Sequence, residues 1–180
     1  ELMPAWQQTV KRLVDVVVAI AVLAGLAPLW VLIALVIRLT SRGPIFFRQE
    51  RVGEAGKPFM MLKFRSMRID AEEKTGPVWV KGEDPRVTTI GRILRMLHLD
   101  EIPQCLNFLR GDMSLVGPRP LPMRDFERMS EQHKRRLAAL PGMSGYWQIS
   151  GRSNLSFEDM VRLDLYYIEN WSLSFDIKII

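Results

Sequence analysis

The chain has 180 residues, of which 48% are hydrophobic, and its 25 Lys and Arg against 20 Asp and Glu give a net charge of +5. This length suits one compact domain, and the ordinary apolar content excludes collagen-like, disulfide-stapled and wholly disordered chains. Cys105 is the only cysteine, so no intramolecular disulfide can form, which fits a reducing compartment. The positive charge is compatible with an anionic partner, such as nucleic acid, lipid headgroups or a phosphorylated substrate.

The first predicted element is a membrane segment. Residues 16–37 contain no charge, and about 20 apolar residues are enough for a helix to cross the hydrocarbon core of a bilayer. The segment continues into Arg38 without a small-residue cleavage site, unlike a secretory signal peptide. We therefore expect residues 1–42 to form a retained membrane helix with basic flanks, ahead of a region 43–180 that belongs to the same continuous domain.

Charge and proline placement favour a re-entrant helix over a spanning one. Lys11 and Arg12 precede the apolar segment and Arg38 follows it, and Lys and Arg beside membrane segments favour the cytoplasmic side. Pro28 lies near the middle, where it removes a backbone hydrogen bond and bends the helix. Asp15 is spaced to pair with Lys11 or Arg12 at the interface. A helix that breaks at Pro28 and returns to the same leaflet satisfies these features; a kinked helix that crosses once is the alternative.

Beyond the membrane segment, the pattern predicts a β-hairpin and then an amphipathic helix. Short apolar-aromatic runs at 44–49 and 59–64 flank a glycine-containing turn, and the charged stretch 70–84 predicts a loop. Apolar residues recur at helical spacing over 90–97, with arginines between them. A short basic amphipathic helix beside a membrane anchor is typical of a helix lying in the headgroup plane, and an ordinary core-facing helix is the alternative.

Asp100 and Glu101 are the strongest candidates for chemistry. Pro103 is tolerated only in the first turn of a helix and Gly111 is a suitable stop, so the acidic pair is expected at a helix N-terminus, which favours anions. An Asp before a helix is also an ordinary N-cap, worth about 1 kcal/mol. The pair alone is therefore weak evidence for a site.

Rigid and basic loops strengthen the prediction of an anion pocket. Two prolines bracket Arg119, and a stiffly held guanidinium suits phosphate or carboxylate. Lys63 and Arg65 end the second hairpin run, Arg152 lies in a glycine-rich turn, and Asp112 lies in the loop before Arg119. Each is more often ordinary surface, but together they predict a substrate-binding pocket around the carboxylate pair.

The last part of the chain predicts supporting helices. Helical spacing predicts one amphipathic helix over 125–140, and Ser156 with Asp159 forms a capping-box-like start for a helix to about Asn170. The expected architecture is a mixed α/β domain, mostly helical, that resides at a membrane through an N-terminal re-entrant helix, with a small β-hairpin and interfacial amphipathic helices.

The motifs in this order resemble a known family. The segment RMLHLDEIPQ, followed by LRGDMSLVGPRP, with KFRSM before it and LPGMSGYWQISGR after it, is similar to the bacterial sugar transferases. These are the monotopic phosphoglycosyl transferases, or polyprenyl-phosphate hexose-1-phosphate transferases. The resemblance extends from Lys11 to the chain end, although His98 replaces a residue that is usually small in the family.

The resemblance implies that a sugar-1-phosphate is transferred from a UDP-sugar to undecaprenyl phosphate, with release of UMP, at the cytoplasmic face of the bacterial inner membrane. It implies a role in starting exopolysaccharide, O-antigen or glycoprotein glycan assembly. Asp100 would be the nucleophile, and Glu101 with Asp100 would hold Mg²⁺ or Mn²⁺. Arg95 would bind phosphate, Arg119 would bind substrate, and Pro28 would break the re-entrant helix.

The chemistry is consistent with these roles. A carboxylate is already anionic and can form an acyl phosphate, whereas the approaching phosphates need a divalent metal and arginines to neutralise them. Hard oxygen ligands suit Mg²⁺ or Mn²⁺, and the sequence has no His/Cys cluster for zinc, no P-loop and no dinucleotide fingerprint.

A non-catalytic, membrane-anchored module that binds anionic lipids is the alternative function. It would explain the charge and the apolar segment, but not a carboxylate pair beside rigid arginines. Nucleic-acid binding is not expected, because the aromatic residues do not alternate with a basic stripe. The expected partners are the UDP-sugar, the lipid acceptor and membrane lipids. The transferred sugar, the pathway and a homodimer are left open.

Overall fold

The computed structural model describes residues 4–71, 84–151 and 155–180, so most of the loop predicted at 70–84 lies outside the described residues. The helices and strands of these ranges are α1 Ala5–Gly25, α2 Ala27–Thr40, β1 Phe46–Val52, β2 Pro58–Phe64, α3 Thr89–Met96, α4 Cys105–Arg110, β3 Ser114–Val116, α5 Met123–Phe126, α6 Glu131–Lys134, β4 Gly142–Ser144, α7 Tyr146–Ser150, α8 Phe157–Glu169 and α9 Leu173–Ile179. Three 3₁₀ segments cover Glu54–Gly56, Leu99–Gln104 and Arg135–Ala138. The prediction of a mixed, mostly helical α/β domain is confirmed.

The two N-terminal helices form a bent pair. Their axes differ by 65° across the break at Leu26. Pro28 lies in the first turn of α2, where its missing N–H breaks no intrahelical hydrogen bond, so the break falls two residues before the proline. No single described helix is long and apolar enough to cross a membrane, whereas the bent pair together reaches that length and composition.

The first half of α1 is fastened to the rest of the domain. Lys11 Nζ lies 2.5 Å from Asp176 Oδ2 on α9, and Arg12 donates to the Leu109 carbonyl at the end of α4. The predicted pairing of Asp15 with Lys11 or Arg12 is wrong, because Asp15 Oδ1 instead accepts a hydrogen bond from the Leu115 backbone N–H at 2.9 Å. The charges that flank the apolar segment therefore hold α1 against β3, α4 and α9.

The β-hairpin is confirmed, with longer strands than the pattern predicts. Strands β1 and β2 pair antiparallel from Phe46 with Phe64 to Val52 with Pro58. The first strand extends to Val52. The backbone N–H of Val52 donates to the Leu121 carbonyl, a partner that the local sequence does not reveal. Strands β3 and β4 form a short parallel pair that the sequence did not predict.

Helix α3 presents apolar side chains in two directions. Thr88 caps it by accepting from the Gly91 N–H, and Leu94 packs with Ile33 and Ile37 of α2 and with Phe64 of β2. Three further apolar side chains of this segment stay exposed: Ile93, Met96 and Leu97. The core-facing reading of α3 is therefore correct for one face, and the exposed apolar face is what a headgroup-plane helix requires.

The single helix predicted over 125–140 is wrong. The structure forms α5, α6 and a 3₁₀ segment there, because Ser130 accepts from the His133 N–H and starts a new helix. A serine that bonds to the nearby backbone competes with continuation of the preceding helix. The predicted start at Ser156 is confirmed, since its hydroxyl caps α8 by accepting from the Asp159 N–H.

Candidate active site

A cavity of about 980 Å³ opens between the hairpin, α3 and the loop that carries Arg119. Its wall is apolar over residues 44–47, and further along β1 it carries Arg48 and Arg51. Six of the sequence-predicted site residues also line it: Lys63, Arg65, Arg95, Asp100, Glu101 and Arg119. The structure thus brings together residues that are up to 56 positions apart in the chain.

The acidic pair is carried by the 3₁₀ segment Leu99–Gln104, which leads directly into α4. His98 starts this segment with a φ of 55°, in the left-handed region, which explains why a small residue suits this position. Pro103 lies inside the 3₁₀ segment and Gly111 ends α4 in a left-handed conformation. The prediction of a helix start at the pair is confirmed, although the first turn is 3₁₀.

Glu101 is held by two cations. Lys63 Nζ lies 2.5 Å and Arg119 Nη2 lies 3.7 Å from the same oxygen, Glu101 Oε1. Burial raises the pKa of Glu101, but Lys63 and Arg119 outweigh it, so this pKa lies below its ordinary value. Burial lowers the pKa of Lys63, and Glu101 opposes that change. Glu101 is therefore an ionised, fixed carboxylate.

Asp100 is buried without comparable support. It is 6% exposed, and within the described ranges no side chain donates a hydrogen bond to its carboxylate. Burial raises its pKa, Lys63 opposes this, and the like charge of Glu101 adds to it. A backbone N–H is the hydrogen-bond donor that acts on the pKa of this carboxylate, and a buried carboxylate without side-chain donors can act as a nucleophile or a metal ligand once it is ionised.

The arginines of the cavity are oriented by different parts of the fold. Arg95 Nε donates to Ser66 Oγ at 2.9 Å. Arg119 is held through its backbone, because its carbonyl accepts from Arg136 Nη2 at 3.0 Å, and Arg136 is itself buried against Asp164. The sequence did not predict this supporting role of Arg136. Arg136 lies among other charged residues of a helical pattern, and nothing in that pattern distinguishes a buried arginine from an exposed one.

Asp112, a predicted substrate-binding residue, does not line the described cavity. It accepts a hydrogen bond from Asn107 Nδ2 at 3.1 Å. Asn107 is fully buried and also bonds to the backbone of Met60 and Leu62 on β2. Asp112 therefore helps to fix the hairpin to α4, and its role in substrate binding stays a prediction. Arg152 lies outside the described residues.

The donor set fits a divalent metal only together with substrate oxygens. Among the residues that the structure describes, no group of three or more His, Cys, Asp and Glu could hold a metal ion. Both cations on Glu101 contact Oε1, which leaves Oε2 and the Asp100 carboxylate as oxygen donors at the cavity. Mg²⁺ is commonly bound by one or two carboxylates plus substrate phosphates, so the pair fits that mode.

Comparison with known proteins identifies the family. The family described as bacterial sugar transferase matches residues 6–180. The galactosyl transferase CpsE of Streptococcus agalactiae is 47% identical over 149 residues, which are 77% of this chain and 33% of CpsE. The exopolysaccharide production protein ExoY of Sinorhizobium fredii is 39% identical over 184 residues, covering 94% of this chain and 81% of ExoY.

A third relative carries a more specific name. The undecaprenyl-phosphate glucose phosphotransferase of Komagataeibacter xylinus is 41% identical over 186 residues, covering 97% of this chain and 35% of that protein. The chain thus spans about a third of two of these relatives and about four fifths of ExoY. It belongs to the bacterial sugar transferase family. The protein is accordingly an enzyme, a transferase.

Proposed function

We propose that the protein transfers a sugar-1-phosphate from a UDP-sugar to undecaprenyl phosphate through a phosphosugar bound to Asp100. The observation that carries this proposal is a buried carboxylate without side-chain hydrogen bonds, next to an ionised Glu101 in a cavity lined with arginines. The names of the relatives support a lipid-linked acceptor. They include both galactose and glucose transferases, so the sugar is left unassigned.

The proposed reaction has two displacements at one phosphorus atom. An Asp100 carboxylate oxygen attacks the sugar-linked phosphorus of the UDP-sugar, the bond from that phosphorus to the bridging oxygen breaks, and UMP leaves with the electron pair. A phosphate oxygen of the acceptor then attacks the same phosphorus and releases the Asp100 carboxylate. The sugar diphosphate stays on the lipid. One carboxylate can thus serve a soluble donor and a membrane-bound acceptor in turn.

The surrounding residues neutralise charge in this scheme. Arg95 and Arg119 bind phosphate oxygens, and Lys63 keeps Glu101 ionised and in place. Asp100 and Glu101 would hold Mg²⁺ or Mn²⁺, which offsets the negative charge of the diphosphate and of the leaving UMP. Burial of Asp100 strengthens these electrostatic interactions, because the local dielectric is lower than in water.

The contacts of α1 and α2 support a re-entrant rather than a spanning membrane helix. Asp15 in α1 bonds to β3, and Ile33 and Ile37 in α2 pack on β2 and α3, so both sides of the break contact one domain. A bilayer core about 30 Å thick would separate two ends that lie on opposite faces. These contacts support our proposal that the protein is a monotopic enzyme on the cytoplasmic face of the inner membrane.

Site-directed labelling tests this topology. Single cysteines at the exposed positions Thr9 and Arg42, each in a Cys105→Ser background, should react with an impermeant reagent only from the cytoplasmic side. Cys105 is the only native thiol and is buried, so its replacement removes the remaining background reaction with the reagent. Reaction of either position from the outside would contradict the re-entrant arrangement.

Isolation of the intermediate tests the chemistry. The protein incubated with UDP-sugar and Mg²⁺, without acceptor, should release about one UMP per active site and carry a phosphosugar on Asp100, because a covalent step separates the two substrates. Asp100→Asn should give neither product. Asp125→Asn, the same change on α5 away from the carboxylate pair, is the matched control. UMP release that strictly requires the acceptor, with no adduct in digested protein, would indicate direct transfer instead.

The membrane-anchored binding module gives a different result in the same assay. Such a module would bind anionic vesicles and would release no UMP with any UDP-sugar. A panel of UDP-sugars therefore separates the two functions, and it also identifies the donor sugar.

A further inference from the structure

Arg65 is a buried cation with an unused donor. It follows the end of β2, is 5% exposed and lines the cavity. Its Nη2 donates to the Ser41 carbonyl at 3.0 Å and to the Ser41 hydroxyl at 2.5 Å, just beyond the C-terminal end of α2. Its Nη1 is buried and has no hydrogen-bond partner among the described residues. A buried guanidinium N–H without an acceptor is unfavourable and points to a missing ligand.

A second arginine lies beside it without a counterion. Arg38, in the last turn of α2, donates to the Gly43 carbonyl at 3.3 Å. Burial and then the charge of Arg38 lower the pKa of Arg65. Within the described ranges no carboxylate forms an ion pair with either arginine, although other buried cations such as Lys11, Lys63 and Arg136 have one. The two guanidinium groups therefore form a positive site without an anion.

The unused donor lies against Gly43. Gly43 has a φ of +113°, and a Cβ built on it would lie 2.4 Å from Arg65 Nη1 and 2.9 Å from Ile69 Cδ1. Only glycine lets Nη1 approach this closely. Ile69, on the other side of Gly43, is 67% exposed and lines the same cavity as Arg65.

The position of the arginine pair specifies the kind of ligand. Arg38 is in the last turn of α2 and Ser41 directly follows that helix, an end that lies at the membrane surface in the proposed re-entrant arrangement. The cavity wall that comes next along the chain is apolar over residues 44–47. Arg65 follows Lys63 by two residues, roughly 7 Å along an extended chain, and Lys63 contacts Glu101. An anion bound at Arg65 would therefore lie close to the acidic pair, with an apolar tail along residues 44–47.

We propose that Arg65 and Arg38 bind the phosphate of a membrane lipid that enters the cavity from the end of α2. That this lipid is the polyprenyl phosphate acceptor rests on the proposed function. The alternative source of the same chemistry is the headgroup of an ordinary anionic phospholipid. The donor diphosphate then uses Arg119 and Arg95, so the two substrates have separate cationic contacts around Asp100.

Half-reaction kinetics in lipid nanodiscs test this assignment. Arg65→Gln should raise the KM for polyprenyl phosphate about tenfold or more, the size expected for loss of a charge-assisted contact, and should slow UMP release without acceptor by a clearly smaller factor. Arg38→Gln should raise this KM less, because Arg38 is more exposed. Arg162→Gln, at an exposed position on α8, is the matched control and should change neither value.

Two further measurements keep the test decisive. Arg65→Lys retains the charge but not the fork, so it should fold if Arg65→Gln does not, and it should still raise the acceptor KM. Binding of polyprenyl phosphate to nanodiscs without any donor measures the site independently of turnover, so it remains readable if no UMP is released and the proposed reaction fails.

The lipid source is read by varying the nanodisc composition. If Arg65→Gln raises the KM for polyprenyl phosphate or weakens its binding in phosphatidylcholine discs, the ligand of Arg65 is the acceptor. If these values are unchanged and Arg65→Gln instead loses stimulation by phosphatidylglycerol, the ligand is a phospholipid headgroup. The proposal is overturned if neither lipid is affected, or if both half-reactions decrease equally, since that would place Arg65 in the donor site or in the folding core.

Discussion

Buried charges behind the Arg119 loop are matched, whereas two buried charges of the cavity, Asp100 and Arg65, are not. Arg136 and Asp164 are each 1% exposed and bind each other, with Arg136 Nε 2.9 Å from Asp164 Oδ2. Asp100 and Arg65 are almost as buried, yet the described part of the chain supplies Asp100 with no side-chain hydrogen bond and leaves Arg65 Nη1 without a partner. The first pair stabilises a loop, and the second set is arranged to receive substrate.

The contrast extends to the other end of the domain. Asp176 accepts from Lys11, Tyr167 and Trp171, three side chains that join α1, α8 and α9. Satisfied networks of this kind fix one arrangement of the core, and unsatisfied buried groups are costly. Asp100 and Arg65 Nη1 are two such groups that line one cavity, which is the pattern expected where bound ligands complete the hydrogen bonding.

Removal of a cavity arginine should give the largest effect. Arg119→Ala and Arg95→Ala should each lower turnover by about 10² or more, the scale seen when one charge-stabilising donor is lost, with little change in thermal unfolding. Arg119→Lys should also be poor, because a point charge cannot make a forked contact. Steady-state kinetics with a UDP-sugar measure this, and near-normal activity in Arg119→Ala would make Arg119 a structural residue.

Removal of Arg136 from its ion pair with Asp164 should lower the stability of the fold. Arg136→Met should lower the free energy of unfolding by about 3–5 kcal/mol, because Asp164 would stay buried and unpaired. The double change Arg136→Met with Asp164→Leu should recover most of that loss. Denaturant unfolding measures both. If the single and double variants have the same free energy of unfolding, an unpaired Asp164 carboxyl does not destabilise the folded protein.

The same variants separate positioning from folding. Arg136 donates to the Arg119 carbonyl, so the stable double variant should still have a higher KM for the UDP-sugar than the unaltered protein. An unchanged KM would mean that the Arg119 loop keeps its conformation without Arg136.

The titration of Asp100 gives a pH signature. Its pKa is raised in the folded protein above the ordinary 3.8, so the folded state binds a proton more readily than the unfolded state. Without metal, the free energy of unfolding should therefore fall as the pH rises from below 3.8 through the raised pKa. The fall is about 1.4 kcal/mol for each pH unit that separates the unfolded-state and folded-state pKa values. Asp100→Asn should reduce this slope and leave the part that comes from Asp15 and Asp164, whose pKa values burial also raises. An unchanged slope would show that Asp100 does not contribute to it.

Activity should change in the opposite direction over the same range. The nucleophile must be ionised, so the single-turnover rate should rise with pH through the raised pKa of Asp100. The pKa of Glu101 lies below its ordinary value, which favours the ionised form of Glu101 over this range. A flat rate profile across this range would contradict a titrating Asp100.

The smallest expected effect concerns the backbone before the acidic pair. His98 has a φ of 55°, which costs an L-residue roughly 1–2 kcal/mol relative to glycine, partly cancelled by the greater chain entropy of glycine. His98→Gly should leave the melting temperature unchanged or raise it by a few degrees, whereas His98→Val should lower it. Equal melting temperatures for the Gly and Val variants would show that the segment relaxes at no cost.

Much of the fold was readable because its signals are local. The uncharged segment, Pro28, the apolar runs of the hairpin and Gly111 each act on neighbouring backbone, and the break, strands and helix end lie within a few residues of their predicted positions. The acidic pair was also identified, since its spacing from Arg119 and from the hairpin cations is part of a recognisable order of motifs.

What the sequence alone determined is the family, the broad architecture and the carboxylate pair; the tertiary structure decided which buried charges are paired. Lys11 contacts Asp176 across 165 positions, and Arg136 contacts Asp164 across 28. The same holds for Asp112, which contacts Asn107 and does not line the described cavity, and for Arg65, whose Nη1 has no partner within the described ranges. A local pattern specifies that a side chain is charged, but its pairing depends on which distant elements pack around it and exclude water.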